Sequence, residues 1–131
     1  MKQILISILL ICYGTFSYGQ FPSNSFGPKV DFSIGSNPQG LAMADLNNDG
    51  KLDVLAANIT TGFVSIRLNT SNSGVINSSS FNSLITLTGY TSNPQQIFPS
   101  DLNHDGKIDL VVGYSSGTYF SIFLNNYDSG V

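Results

Sequence analysis

The sequence predicts an all-β fold made of two similar units, and three observations lead to this prediction. Short runs of β-branched and aromatic residues alternate with turns rich in Gly, Asn, Ser and Thr. One nine-residue segment occurs twice, 56 positions apart, with similar text on both sides of each copy. From residue 20 onward, no stretch has a convincing helical period of apolar residues.

Each unit reads as a series of short strands joined by turns. In the first unit the predicted strands are residues 40–44, 54–57, 63–68 and 81–88. Residues 110–113 and 119–124 are the counterparts of the second and third strands. The unbroken apolar runs at 54–57 and 110–113 are typical of strands buried on both faces. Aromatic side chains at strand positions are expected in the core, namely Phe63, Tyr119, Phe120 and Phe123.

Four short antiparallel strands in a unit of about 50 residues are typical of one blade of a β-propeller. The sequence therefore predicts about two four-stranded antiparallel blades of a β-propeller, incomplete and not closed. The expected organisation is a partial blade at 26–35, a full repeat at 36–91 and a truncated repeat at 92–131. A blade has two apolar faces, so it needs a neighbour on each side to bury them.

The nine-residue segment has the pattern D-x-N-x-D-G-x-[LI]-D at 45–53 and again at 101–109. Oxygen-bearing side chains stand at positions 1, 3, 5 and 9, and glycine stands at position 6, where the chain must turn sharply. This is the spacing of a calcium-binding loop. A metal-free turn is the plain alternative, because Asp, Asn and Gly favour turns in any case.

Together with their flanks, the two copies resemble the FG-GAP/VCBS repeat, the blade unit of integrin-α-like β-propellers. Pro38 and Pro94 each precede the first loop aspartate by seven residues, and an apolar strand follows each loop. The resemblance implies one calcium ion per loop, with Leu52 and Ile108 pointing inward and anchoring the loops to the blade core. The implied ligands are Asp45, Asn47, Asp49, the Lys51 carbonyl and Asp53, and Asp101, Asn103, Asp105, the Lys107 carbonyl and Asp109.

An EF-hand or dockerin loop is the main rival interpretation of the metal motif. Both need an acidic ligand at loop position 12, but Ala56 and Val112 stand there, inside apolar strands. Flanking helices are also missing from the predicted elements. His104 takes loop position 4, which is not a ligand position, so it is expected to be exposed to solvent.

The N-terminus predicts a secretory signal peptide over residues 1–19. Lys2 precedes an apolar run at 4–11 that is too short to span a bilayer, and Ser17 and Gly19 suit cleavage before Gln20. An uncleaved membrane anchor is the rival interpretation. Cleavage would remove Cys12, the only cysteine, so the mature chain would contain no disulfide and no membrane span.

Charged residues are few, and the formal net charge is −3. All eight acidic residues are Asp, and six of them lie in the two loops. The basic residues are scattered, so nucleic acid is not an expected partner. The mature chain has no Glu and one His, and its clustered acids are assigned to metal, so no catalytic residues can be named and the chain is not expected to be an enzyme.

These observations predict a secreted or cell-surface, calcium-binding β-propeller module that is not catalytic and serves adhesion or protein or glycan binding. The alternative is a structural fragment of a longer extracellular propeller protein or enzyme whose active part is absent here. Val131 aligns with Val75, inside the repeat, so an incomplete chain is expected. Further blades, or self-association, would complete the propeller.

Overall fold

The computed structural model describes residues 22, 24–72, 74–89 and 93–128. These residues form two antiparallel sheets with no α-helix, and the sheets do not close into a barrel. The predicted all-β class is therefore confirmed. Across the described ranges, no helix has the length and apolar character to cross a membrane. The signal peptide expected at 1–19, Cys12 and Val131 lie outside the described residues.

Both sheets are simple up-and-down arrangements in which sequence neighbours pair. Sheet 1 has the order β1 (Pro38–Ala44), β2 (Asp53–Asn58), β3 (Phe63–Arg67) and β4 (Ile85–Leu87). Sheet 2 has the order β5 (Pro94–Ser100), β6 (Asp109–Tyr114) and β7 (Phe120–Phe123). Sheet 2 thus has three strands in the described ranges, whereas each predicted blade has four.

Positions 56 apart pair in the same way in the two sheets. Leu41 faces Ala56 in sheet 1, as Ile97 faces Val112 in sheet 2. The register of β1 shifts just after Pro38, and that of β5 shifts just after Pro94. A proline has no N–H for the ladder, so the irregularity falls at the same place in both sheets.

The hydrophobic core lies between the two sheets. One face of sheet 1 packs on one face of sheet 2, with β5 lying against β1 and β2. We call these the contact faces of the two sheets, and the opposite faces their outer faces. The buried core residues are Leu55, Ala57, Val64 and Ile66 of sheet 1 and Ile97, Leu110 and Val112 of sheet 2.

The two sheets approach each other closely at Gly40. A Cβ atom at this position would lie well inside van der Waals distance of the Gln95 carbonyl oxygen of β5. Glycine therefore allows the backbones of β1 and β5 to meet, which a strand residue with a side chain would prevent. The residue 56 positions later is Gln96, which is exposed.

The predicted fourth strand at 81–88 is shorter than expected. Only Ile85–Leu87 pairs as a strand, and Phe81 makes an isolated bridge with Asn69. Between these two points the Asn82 Oδ1 atom accepts the Leu68 N–H at 2.8 Å, a role that a backbone carbonyl has in a regular ladder. This competition from a side-chain amide interrupts the strand.

Two expectations about burial were wrong in part. Leu52 was expected to point into the core but is exposed, whereas its counterpart Ile108 is half-buried beside β7. Of the four aromatic residues expected in the core, Phe120 is 64% exposed and Tyr119 is 47% exposed, whereas Phe63 and Phe123 are half-buried. For Leu52 and Phe120 the physical reason is shared. Leu52 lies at the outer side of sheet 1 and Phe120 on the outer face of sheet 2, and within the described ranges no further sheet covers them.

Gly40→Ala should lower the free energy of unfolding by about 1–3 kcal/mol, because the added methyl group forces β1 away from the Gln95 carbonyl. Gly113→Ala is the matched control, since a Cβ atom there meets only the Gln96 Cβ atom at 3.9 Å and the equivalent residue of sheet 1 is Ala57. Urea unfolding measures both variants. Equal stability of the two would contradict the close approach.

Candidate metal centres

The two repeated segments form the connections between the first and second strands of each sheet. We call residues 45–53 loop 1 and residues 101–109 loop 2. They lie side by side at one end of the packed sheets, because the Asn48 side-chain amide donates to the Gly106 carbonyl at 3.4 Å. A second bond crosses between the sheets, from the Asn125 side-chain amide to the Leu46 carbonyl at 2.8 Å.

Both loops turn through the left-handed region at positions 4 and 6. The φ angles are 58° at Asn48 and 80° at Gly50, and 62° at His104 and 83° at Gly106. Asn and His are enriched among the non-glycine residues that adopt this region, whereas glycine adopts it at no steric cost. His104 is exposed, as the sequence predicts, and its backbone conformation explains why it can replace Asn48.

Side-chain oxygens at positions 1, 3 and 5 accept backbone N–H groups of their own loop. The Asp45 carboxylate accepts from the N–H groups of Asp49 at 3.1 Å and Gly50 at 2.8 Å. The Asn47 Oδ1 atom accepts the same Asp49 N–H at 3.2 Å, and Asp49 Oδ1 accepts the Lys51 N–H at 3.0 Å. Loop 2 has the same bonds among Asp101, Asn103, Asp105, Gly106 and Lys107.

The aspartate at position 9 has a structural role that the sequence reasoning missed. Asp53 is fully buried, and its two carboxylate oxygens accept the N–H groups of Leu46 at 2.9 Å and Asn69 at 2.7 Å. Asp53 thus ties the start of loop 1 to the chain that leaves β3. Asp109 does the same in loop 2, through the N–H groups of Leu102 and Asn125. The sequence did contain a signal for this role, because Asn69 recurs 56 positions later as Asn125.

Local surroundings shift the pKa of one carboxyl group in each loop. Burial raises the pKa of the Asp53 carboxyl above its usual range, and the charges of Asp49 and Asp45 add to this, against the two N–H bonds. In loop 2, the Lys107 N–H and the Asn103 amide lower the pKa of the exposed Asp105 carboxyl. Loop 1 therefore holds a buried negative charge that nearby negative charges disfavour.

The donor atoms of each loop are all oxygens, which is the ligand type of a hard cation such as calcium. In the described residues, no group of three or more His, Cys, Asp or Glu side chains is arranged to hold a metal ion. The implied sets also use a side-chain amide and a backbone carbonyl. Each carboxylate oxygen that accepts one N–H keeps a second lone pair, so the loop bonds and metal binding are chemically compatible.

Only some of the implied ligands of loop 1 face a common point. Asp45 and Asn47 converge on one atom, the Asp49 nitrogen, while the Asp49 carboxylate turns to Lys51, whose Nζ atom lies 3.6 Å away. The Asp53 carboxylate is directed at Leu46 and Asn69. Positions 1 and 3 therefore already face a common point, and position 9 is committed to the surrounding backbone.

Asp53→Ala should lower the free energy of unfolding by about 2–4 kcal/mol, even in a buffer that contains a chelator. The change leaves the N–H groups of Leu46 and Asn69 without their acceptor. Asp49→Ala is the matched control, because it removes an exposed carboxylate of the same loop and should cost less than about 1 kcal/mol. Urea denaturation of both variants tests this. If both variants lost the same free energy of unfolding, the structural role assigned to Asp53 in the absence of metal would be contradicted.

No family model, curated protein or solved structure matches this chain. The resemblance to the FG-GAP/VCBS repeat therefore depends on the residues of the two loops and their flanks. The function of the chain has to be inferred from its own loops, sheets and exposed faces.

Proposed function

We propose that this chain is a calcium-stabilised β-sheet repeat module of the FG-GAP/VCBS type that binds a protein or glycan partner and does not catalyse a reaction. One observation carries the proposal. Two loops with the same oxygen donors at the same positions, and the same left-handed backbone at positions 4 and 6, lie side by side at one end of two packed sheets.

Calcium is the cation that best suits these loops. The proposed ligands in loop 1 are Asp45, Asn47, Asp49, the Lys51 carbonyl and Asp53. The proposed ligands in loop 2 are Asp101, Asn103, Asp105, the Lys107 carbonyl and Asp109. A divalent ion would offset the repulsion among three neighbouring carboxylates and the cost of keeping Asp53 charged in a buried position. Metal binding would then stabilise the native state rather than act in chemistry.

A binding role agrees with the chemistry of the described residues. The Asp residues of both loops accept backbone N–H groups, and His104 stands at an exposed turn. The paired loops present half-buried and exposed polar side chains at one end of the sheets, which is suited to contact with a protein or glycan. A secreted or cell-surface location follows from the proposed signal peptide and from the modest calcium affinity expected of extracellular modules.

Titration of the purified protein with calcium tests the proposal. Calorimetry should detect two ions per chain, with dissociation constants on the order of 10⁻⁴–10⁻³ M. At a calcium concentration about ten times the dissociation constant, each ion should stabilise the fold by about 1.4 kcal/mol, measurable as a rise in melting temperature.

Two variants make the titration specific. Asp45→Asn should weaken the loop 1 site and leave the loop 2 site, so that one binding event keeps its original affinity. Asp31→Asn removes the same charge outside the loops, where Asp31 pairs with Lys29, and should leave both binding events intact. The absence of binding heat together with an unchanged melting temperature would overturn the proposal.

A further inference from the structure

Sheet 2 has an apolar outer face that nothing in the described structure covers. Phe98 is 57% exposed, Phe120 is 64% exposed and Ile122 is 51% exposed. Their positions in the ladder place Phe98, Val111 and Ile122 in one row across the three strands. A row of large apolar side chains that crosses a whole sheet is larger than the isolated apolar residues normal on protein surfaces.

The internal repeat indicates what fits this face. The residues 56 positions earlier form the contact face of sheet 1, where Ala42, Leu55 and Ile66 make the corresponding row. Leu55 is fully buried there and Ile66 is 7% exposed, because sheet 2 covers them. The chain therefore contains one example of a sheet covering this kind of face. Gln96 stands in sheet 2 where sheet 1 has Gly40, so the backbones of strands docked on this face lie further apart than those of β1 and β5.

A suitable covering surface occurs on the outer side of sheet 1. Leu41 is 69% exposed and Met43 is 66% exposed. Their counterparts in sheet 2 are Ile97, which is buried in the core, and Pro99. In the repeat, the outer face of sheet 1 is therefore the counterpart of the contact face of sheet 2.

The sheet edges agree with this pairing. β7 is the edge strand of sheet 2 and the counterpart of β3, which in sheet 1 has β4 as a further neighbour. Residues 32–35 lie along the outer side of sheet 1, since Arg67 Nε donates to the Ser33 carbonyl at 2.6 Å, the rings of Phe32 and Phe81 meet edge to face at 4.9 Å, and Gly35 lies against the Asn58 side chain. This segment contacts Arg67, whose counterpart Phe123 lines a groove with β4. It therefore occupies, relative to sheet 1, the place that β4 occupies relative to sheet 2.

We propose that a second copy of this chain docks head to tail, with the outer face of its sheet 1 covering the outer face of sheet 2. Residues 32–35 of the docked copy then lie beside β7 and extend sheet 2 by a fourth strand. The two surfaces differ, so the contact is heterologous and each copy keeps one face available for another. None of the face positions is a proposed calcium ligand, so this proposal and the calcium proposal can fail separately.

Complementation between two face variants tests the proposal by sedimentation velocity on the purified protein. Ile122→Asp places a charge on the outer face of sheet 2, and Leu41→Asp does so on the outer face of sheet 1. Val75→Asp is the matched control, because Val75 is 55% exposed in the loop between β3 and β4, away from both faces. Circular dichroism establishes that each variant is folded.

The wild type and Val75→Asp should associate as concentration rises, and each face variant alone should remain monomeric. An equimolar mixture of the two face variants should form dimers, because one intact contact remains between them. Hydrogen exchange at residues 120–122 should slow on association. A monomeric wild type would overturn the proposal, and so would a face variant that dimerises alone, since that would indicate pairing of like faces.

Discussion

The structure depends on the burial of one apolar sheet face against another. Each sheet is only three or four strands wide. A sheet of this size needs an apolar face buried against another element to be stable. The contact faces supply this packing, and glycine at position 40 lets the backbones of β1 and β5 come close enough for Leu55 and Val112 to become fully buried. The contact between the two sheets determines where the loops and the exposed faces lie.

The loops are connected to the core through buried aspartates as well as through apolar side chains such as Leu46. Asp53 and Asp109 accept N–H groups from the loop start and from the chain beyond the third strand, so each loop is held to its own sheet. The Asn125 bond to Leu46 then holds sheet 2 to loop 1. Burying a carboxylate is costly, and the raised pKa of Asp53 expresses this cost. Under the proposed calcium binding, a bound cation would reduce this cost and stabilise the loop.

Much of the fold could be predicted from the sequence, because local signals determine it. Runs such as 54–57 and turns such as 60–62 place the second and third strands within two residues of their observed bounds. The exposure of Leu52 and Phe120 could not be predicted in this way. Whether these side chains are buried depends on whether another sheet packs on the outer face of their own sheet. The ligand pattern marked position 9 as important, but only the fold shows that Asp53 meets Asn69, sixteen residues away.

Mutual dependence of the two sheets can be measured by native-state hydrogen exchange at the amides of Leu55 in β2 and Val112 in β6. Both residues are fully buried in the contact between the sheets. If each sheet requires the other, the two amides should show the same opening free energy and the same dependence on denaturant, because they exchange only through global unfolding. If Val112 exchanged through a separate opening of much lower free energy while Leu55 stayed protected, sheet 1 would be stable alone and the interdependence would be contradicted.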